Sequence, residues 1–190
     1  MAGLDEVGRG CLAGPVVAAA VVFPKDLVLP EVTDSKALSP AKRVELDGLI
    51  RQRALAVSVS QVSAQEIDKI NILQASLKAM ALAVESLKVR PKALLVDGRQ
   101  TIPHILPQKA LVKGDSRSQS IAAASIVAKV YRDQLMEQMD QVYPGYHFAR
   151  HKGYPTKVHK EAIRCKGCSP IHRKSFKGVR EVAFASHDDG

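Results

Sequence analysis

The sequence contains no tryptophan, few aromatic rings and only three cysteines, Cys11, Cys165 and Cys168. An odd number of cysteines does not favour a disulfide framework, and the first residues lack the basic and apolar segments of an export signal. Long apolar runs are also missing, because the longest clean one, residues 16–23, is far shorter than the roughly 20 residues that cross a bilayer. We therefore expect a cytoplasmic protein without a membrane partner.

Acidic residues are the scarcer charge, with 19 Asp and Glu against 28 Lys and Arg, which gives a formal charge of +9. The excess is concentrated in residues 141–190, where ten Lys and Arg face four acids, and which hold five of the six histidines. A basic surface of this kind attracts a phosphate backbone, because each neutralised phosphate releases condensed counterions. An excess that serves only solubility has the same composition. Charge alone thus leaves nucleic acid as one candidate partner.

Hydrophobic patterning predicts a mixed α/β fold. Strands are predicted at residues 2–5, 16–23, 54–60, 93–97 and 110–112. Helices are predicted from Pro40 to about Arg51, after the capping box at Ser63, and at residues 72–88, 118–139 and 157–164. The composition turns basic and aromatic after Tyr143. We expect an α/β core at residues 1–142 and a basic helical region at residues 143–190 packed on it.

Four acidic residues stand where predicted strands end. Asp5 and Glu6 end the first strand and precede Gly8-Arg9-Gly10, Asp97 ends the fourth, and Asp115 follows the fifth. Ligands collect at strand ends in open α/β sheets, and carboxylates gathered there raise one another's pKa unless a cation intervenes. Oxygen ligands without His or Cys favour Mg²⁺ or Mn²⁺. Each acid taken alone would also fit a strand-end turn or a helix cap.

The glycines after the first strand do not continue as a dinucleotide-binding motif. The next glycine, Gly14, comes one position late, and Pro15 leads into a β-branched run where that motif needs a helix. We expect the glycines either to let backbone groups touch a ligand or merely to make a tight turn.

A zinc site is a weaker interpretation of His159, Cys165, Cys168 and His172. The two cysteines have C-x-x-C spacing, but the outer spacings are irregular and Ser169-Pro170 interrupts the segment. Unreactive thiols are the favoured interpretation.

Seven segments, in order, resemble the motifs of the bacterial type 2 ribonuclease H family, ribonuclease HII. They are Asp5-Glu6-Val7-Gly8-Arg9-Gly10 with Gly14-Pro15, Asp34-Ser35-Lys36, Val96-Asp97-Gly98, Lys113-Gly114-Asp115-Ser116, Ala123-Ala124-Ser125-Ile126 with Ala128-Lys129-Val130, His151-Lys152-Gly153-Tyr154, and His172-Arg173 with Ser175-Phe176. The resemblance extends over nearly the whole chain, from about residue 3 to 178.

This resemblance implies an RNase H-like fold, with a mixed five-stranded sheet flanked by helices and a small helical C-terminal region. It implies an endonuclease that cuts the RNA strand of RNA/DNA hybrids and incises 5′ of single ribonucleotides in duplex DNA, leaving 3′-hydroxyl and 5′-phosphate ends during ribonucleotide removal. The family's catalytic ligands of two divalent ions, Mg²⁺ or Mn²⁺, fall on Asp5, Glu6, Asp97 and Asp115. Its substrate-binding residues fall on the following positions, of which the last senses the RNA–DNA junction: Gly8, Arg9, Gly10, Lys36, Ser116 and Tyr154. We expect a monomer.

Two other functions fit parts of the sequence. A catalytically silent nucleic-acid-binding module would use the basic C-terminal region, but four clustered carboxylates would repel a polyanion unless metal intervened. A metal-dependent phosphatase acting on a small molecule would use the acids, but it leaves the basic, histidine-rich region without a role.

Overall fold

A mixed five-stranded sheet organises the fold in the computed structural model, which describes residues 1–33 and 35–185. Its strands are β1 (Ala2–Val7), β2 (Val16–Val22), β3 (Ala56–Val62), β4 (Leu94–Asp97) and β5 (Gln108–Leu111), in the order β3-β2-β1-β4-β5. β1 pairs antiparallel with β2 and parallel with β4, and β4 pairs parallel with β5. The central strand β1 therefore ends at the same edge of the sheet as β4 and β5. The predicted fold class and all five strands are confirmed, with β3 and β5 shifted by about two residues.

Strand β2 is buried along its whole length because helices cover both faces of the sheet. Successive side chains of a strand point to opposite faces. Val16, Ala18 and Ala20 join a core cluster with α2 (Ala64–Glu85), while Val17 and Ala19 join a second cluster with α3 (Gln119–Val142). This two-sided burial explains why the segment reads as a continuous apolar run.

The helices begin where the capping signals predict. α1 (Pro40–Arg53) starts after Ser39, whose hydroxyl accepts a hydrogen bond from the Lys42 amide at 3.2 Å. The two helices predicted from Ser63 to residue 88 form one element, α2, which breaks at Asn71. This residue has φ 68°, and its side-chain oxygen accepts hydrogen bonds from the Leu73 and Gln74 amides, so it restarts the helix.

The C-terminal segment contains three short helices, α4 (Phe148–His151), α5 (Lys157–Lys166) and α6 (Arg180–Ala185), of which α4 packs against α3. Asp68 of α2 accepts hydrogen bonds from the Lys174 and Ser175 amides, and Ala13 forms a β-bridge with His172. The division at residue 142 stays a prediction. Asp34, which belongs to the second of the seven segments, and residues 186–190 lie outside the described residues.

Within the described ranges, no helix combines the length and apolar character needed to cross a membrane.

Gly3 lets strand β1 approach helix α3 closely. A Cβ atom at this position would lie 2.2 Å from the Ser120 carbonyl carbon and 2.4 Å from the Ile121 amide nitrogen. Backbone atoms cannot move aside as a flexible side chain can. The approach therefore fixes the distance between α3 and the strand that carries Asp5.

We expect Gly3→Ala to destabilise the protein by roughly 3 kcal/mol, because the added methyl overpacks this contact. In a chain of this size that corresponds to a fall in Tm of about 10 °C, measurable by circular dichroism. Gly48→Ala is the matched control, because a Cβ at that helical position meets nothing within 4 Å and should raise the Tm slightly. Equal effects of the two substitutions would show that the close approach is absent in solution.

Candidate active site

Asp5, Glu6 and Asp97 meet at the carboxyl ends of β1 and β4. The parallel register aligns Leu4 with Val96, so the next residues of the two strands, Asp5 and Asp97, are neighbours. All three acids line one cavity of about 300 Å³. The Asp5 side chain is almost fully buried, with only 8% of the residue exposed.

Burial makes this group of acids electrostatically costly. Desolvation raises the pKa of Asp5 well above its ordinary value, and the nearby charges of Glu6 and Asp97 raise it further. The pKa of Glu6 is raised mainly by burial, although the Arg9 guanidinium, 3.0 Å from its carboxylate, opposes that shift. The folded protein thus holds negative charge where water cannot stabilise it.

Asp115 lies beside this cavity without lining it. The Asp97 carboxylate accepts a hydrogen bond of 2.7 Å from the amide of Gly114, the residue that precedes Asp115 in a short 3-10 turn. The Asp115 carboxylate itself accepts a hydrogen bond of 2.9 Å from the Ser116 amide, within that turn. The chain connection therefore keeps Asp115 close to Asp97, while its carboxylate caps its own turn.

The donor set at the strand ends fits a hard divalent cation. The side chains offer only oxygen, and the raised pKa values of Asp5 and Glu6 reflect charge that a cation would neutralise. Among the residues that the structure describes, no three His, Cys, Asp or Glu side chains already form a group that could hold a metal. The residues suit the ion in chemistry, and Asp115 is the one that stands apart.

The predicted substrate-binding residues line the same cavity as Asp5, with one exception. The glycine loop (residues 8–10), which joins β1 to β2, forms one wall, and Lys36 and Tyr154 form others. Ser116 is the exception, because it is exposed in the turn after β5, where its hydroxyl donates to the Lys113 carbonyl. The structure therefore brings most of the predicted site residues together and leaves Asp115 and Ser116 at the edge.

Sequence reasoning assigned no role to Ser35, Ser125 and Lys129, which also line the cavity. The hydroxyls of Ser35 and Ser125 are 2.5 Å apart, and Ser125 also bonds the Asp5 carboxylate. A polar residue within the alanine-rich run of α3 was the available signal for Ser125, and Lys129 follows one turn later on the same face.

Tyr154 stands on the rim between two cavities. It lines the 300 Å³ cavity and also a neighbouring one of about 570 Å³, whose other lining residues include Lys129, Arg150, Lys152 and Lys157. The Tyr154 residue is 38% exposed, and the Lys129 ammonium lies 5.8 Å from its ring centroid. The ring can therefore be reached by a ligand that also contacts the basic cavity.

The zinc interpretation of His159, Cys165, Cys168 and His172 is wrong for the described residues. The Cys168 thiol donates to the Val179 carbonyl and Cys165 is exposed beside Glu161, whereas the two histidines hydrogen-bond to each other. No metal-holding group is found there in the described part of the chain.

The histidines instead form a buried chain of hydrogen bonds behind Tyr154. The Ser169 amide donates to His172 Nδ1 at 2.9 Å, so the proton of His172 is on Nε2, which faces His159 Nε2 at 3.1 Å. His159 must then carry its proton on Nδ1, which lies 2.9 Å from the Tyr154 carbonyl. Both imidazoles are neutral in this arrangement. A further proton would have to sit on His172 Nδ1 or His159 Nε2, and each of these atoms already accepts a hydrogen bond.

Comparisons with known proteins agree with the resemblance in the sequence. The family model for ribonuclease HII matches residues 2–179. The ribonuclease HII of Geobacter metallireducens is 59% identical over 181 residues, which cover 95% of this chain and 85% of that protein. That of Chlamydia pneumoniae is 50% identical over 183 residues, covering 96% and 85%. The solved structure of ribonuclease H2 from Pyrococcus horikoshii matches with a TM-score of 0.81 at 27% identity and covers 97% of each chain.

The histidine chain makes stability depend on pH. Burial lowers the pKa of His159 and of His172 to about 4, so below about pH 6.5 the unfolded chain binds protons that the folded chain excludes. We expect the Tm to fall by several degrees more for wild type than for His172→Gln between about pH 7.5 and pH 5. Asp5 and Glu6 act in the opposite direction, but they are common to both proteins and cancel in the comparison. Parallel pH profiles of the two proteins would contradict the neutral histidine chain.

Proposed function

The chain belongs to the ribonuclease HII family, and we propose that it incises duplex DNA 5′ of single embedded ribonucleotides as well as cutting RNA/DNA hybrids. Family membership makes it a metal-dependent endonuclease that cleaves RNA in such hybrids. The observation that supports the finer activity is one cavity lined by the Asp5, Glu6 and Asp97 carboxylates, the glycine loop and the Tyr154 ring. A site of this form can act on a phosphodiester while contacting the sugars on both sides of it.

We assign Asp5, Glu6, Asp97 and Asp115 as the residues that would hold two divalent ions, Mg²⁺ or Mn²⁺. When bound, such ions would lower the pKa of water and stabilise the charge that develops on a phosphodiester. Hydrolysis would then give 3′-hydroxyl and 5′-phosphate ends. The chain's own part is to hold the carboxylates in position, through the β1–β4 register and the Gly114 amide bonded to Asp97. Burying the Asp5 carboxylate costs free energy, as its raised pKa shows. A carboxylate with only a structural role would gain nothing from that burial, so the cost supports a role in holding metal.

The glycine loop is suited to recognise a ribose 2′-hydroxyl. This hydroxyl both donates and accepts hydrogen bonds, so a backbone carbonyl can accept from it and a backbone amide can donate to it. A Cβ atom at Gly10 would meet nothing within 4 Å, so the backbone there is open to a close approach. The Arg9 side chain, about half exposed, is available to a phosphate beside its bond to Glu6.

Tyr154 is suited to sense the sugar on the 3′ side of the ribonucleotide. A flat ring packs against a deoxyribose, and a 2′-hydroxyl in its place would crowd the ring. We propose that the glycine loop and Tyr154 together select an RNA-to-DNA junction, with Lys36 and Ser116 binding the flanking backbone. Lys129 and the basic cavity beside Tyr154 add positive charge along the same path.

We further propose that the protein acts as a monomer in the cytoplasm. The relatives quoted above at 50–59% identity are bacterial, and bacterial DNA is cytoplasmic.

Asp5→Asn and Asp97→Asn should abolish cleavage of a duplex with one ribonucleotide in Mg²⁺ or Mn²⁺. Without metal, Asp5→Asn should raise the Tm by a few degrees, because the raised pKa of Asp5 means that its charge destabilises the folded state at neutral pH. Added metal should raise the Tm of wild type but not of either variant. Asp47→Asn, which removes a carboxylate of α1 that pairs with Arg51 and does not line the cavity, is the control and should retain cleavage. Wild-type turnover in the first two variants would refute the metal assignment.

If the Tyr154 contact resembles base–aromatic stacking, about 1 to 3 kcal/mol, Tyr154→Ala should slow cleavage of the single-ribonucleotide duplex by roughly 5- to 150-fold. Tyr154→Phe should cost less because the ring face remains. Tyr131→Ala is the matched control, because Tyr131 has a similar exposure, 37%, on the surface of α3. An Ala variant with normal Tm and the wild-type rate would reduce Tyr154 to a structural role.

A further inference from the structure

Arg132 of α3 connects the two loops to which junction recognition is assigned. The residue is fully buried, and its guanidinium donates to three backbone carbonyls. Nε bonds Pro15 at 3.1 Å and Nη2 bonds Ala13 at 3.1 Å, both in the segment that follows the glycine loop. Nη1 bonds Lys152 at 2.7 Å, two residues before Tyr154. One planar group thus spans both loops.

Three glycines pack around this guanidinium. Cβ atoms at Gly8, Gly14 and Gly153 would lie 2.2, 3.4 and 3.4 Å from atoms of the Arg132 side chain. All three have φ between 82° and 92°, a conformation that favours glycine. The chain therefore brings its backbone close to Arg132 from both loops.

Arg173 is a second buried arginine that donates to backbone carbonyls, but its acceptors lie in only one of the two loops. It is also fully buried, and its guanidinium donates to the Arg9 carbonyl at 2.9 Å and the Gly14 carbonyl at 3.0 Å. Both of these acceptors lie in the segment that contains the glycine loop. Arg173 therefore supports one loop, whereas Arg132 joins that loop to the segment before Tyr154.

We propose that Arg132 is a positioning residue that sets the spacing between the glycine loop and Tyr154 and thereby determines selectivity for RNA–DNA junctions. This inference rests on the proposed function, because it takes those two loops as the junction contacts. A substrate must satisfy both contacts at once, so an error of about 1 Å in their spacing costs on the order of 100-fold in rate. A uniform hybrid does not offer the deoxyribose contact and is less sensitive to the spacing.

Arg132→Lys tests this role because a lysine keeps the charge but presents a single ammonium that cannot span three carbonyls. The measurement is the ratio of kcat/KM on a single-ribonucleotide duplex to kcat/KM on a uniform RNA/DNA hybrid. We expect this selectivity ratio to fall at least tenfold in Arg132→Lys. In the matched control Arg173→Lys, which disturbs only the glycine-loop side, both rates should fall together and the ratio should change less than twofold.

The double variant Arg132→Lys/Tyr154→Ala separates the inference from the proposed function. If Arg132 acts through Tyr154, the double variant should have the ratio of Tyr154→Ala alone, within about threefold. Independent, multiplying effects would overturn the inference, as would an unchanged ratio in Arg132→Lys when Tyr154→Ala lowers it. An unchanged ratio in Tyr154→Ala would instead refute the junction role in the proposed function.

Gly153→Ala provides a second variant in case Arg132→Lys melts below the assay temperature. Its Cβ would lie 2.5 Å from the Ala13 carbonyl oxygen and push the two loops apart while Arg132 remains. The same tenfold fall in the ratio is expected. Gly167→Ala is its control, because Gly167 also has positive φ but open space around a Cβ. A normal ratio in Gly153→Ala would overturn the inference.

Discussion

The parallel pairing of β1 with β4 is the constraint on which the site depends. Its register makes Asp5 and Asp97 neighbours, and the alternation of side chains along β1 sends Asp5 and Glu6 to opposite faces. Asp5 therefore lies under α3, bonded to Ser125, while Glu6 and Asp97 also border a second cavity of about 350 Å³ beside α2. A slip of one residue would exchange these faces. The pairing thus places carboxylates along an edge that is open on both sides of the sheet.

Holding these acids together lowers the free energy of unfolding. Burial and mutual repulsion raise the pKa of Asp5, in a chain whose formal charge is +9. Arg9 forms an ion pair of 3.0 Å with Glu6, but the pKa of Glu6 remains raised, so this pair offsets only part of the cost of burial. Sites that sacrifice stability in this way are commonly functional.

Much of the fold and part of the site could be predicted from local patterns. Apolar runs predicted the five strands, and capping residues predicted where helices start. The positions of Asp5 and Asp97 at strand ends indicated that both acids lie at one edge of the sheet. The orientation of the Asp115 carboxylate could not be predicted, because it depends on the turn that contains it. The C-x-x-C spacing suggested metal where the structure has a hydrogen-bonded histidine pair. The histidine pair joins residues 13 apart in the sequence, whereas the Asp115 carboxylate is oriented by the geometry of its own turn, and residue spacing encodes neither arrangement.

Helix α3 supports several parts of the candidate site through one of its faces. Ser125, Lys129 and Arg132 follow at i, i+4 and i+7, so they lie on the same side of the helix and contact Asp5, the Tyr154 ring and the two loops in turn. A helix rises 1.5 Å per residue, so these contacts are spread over about 10 Å of a rigid element. Loops rich in glycine would otherwise not keep a fixed spacing, because their backbones can adopt many conformations. Bonded to a buried guanidinium on α3, they take their spacing from the helix that also packs against β1 at Gly3. The distance between the carboxylates and the proposed junction contacts is therefore set by the packing of the core.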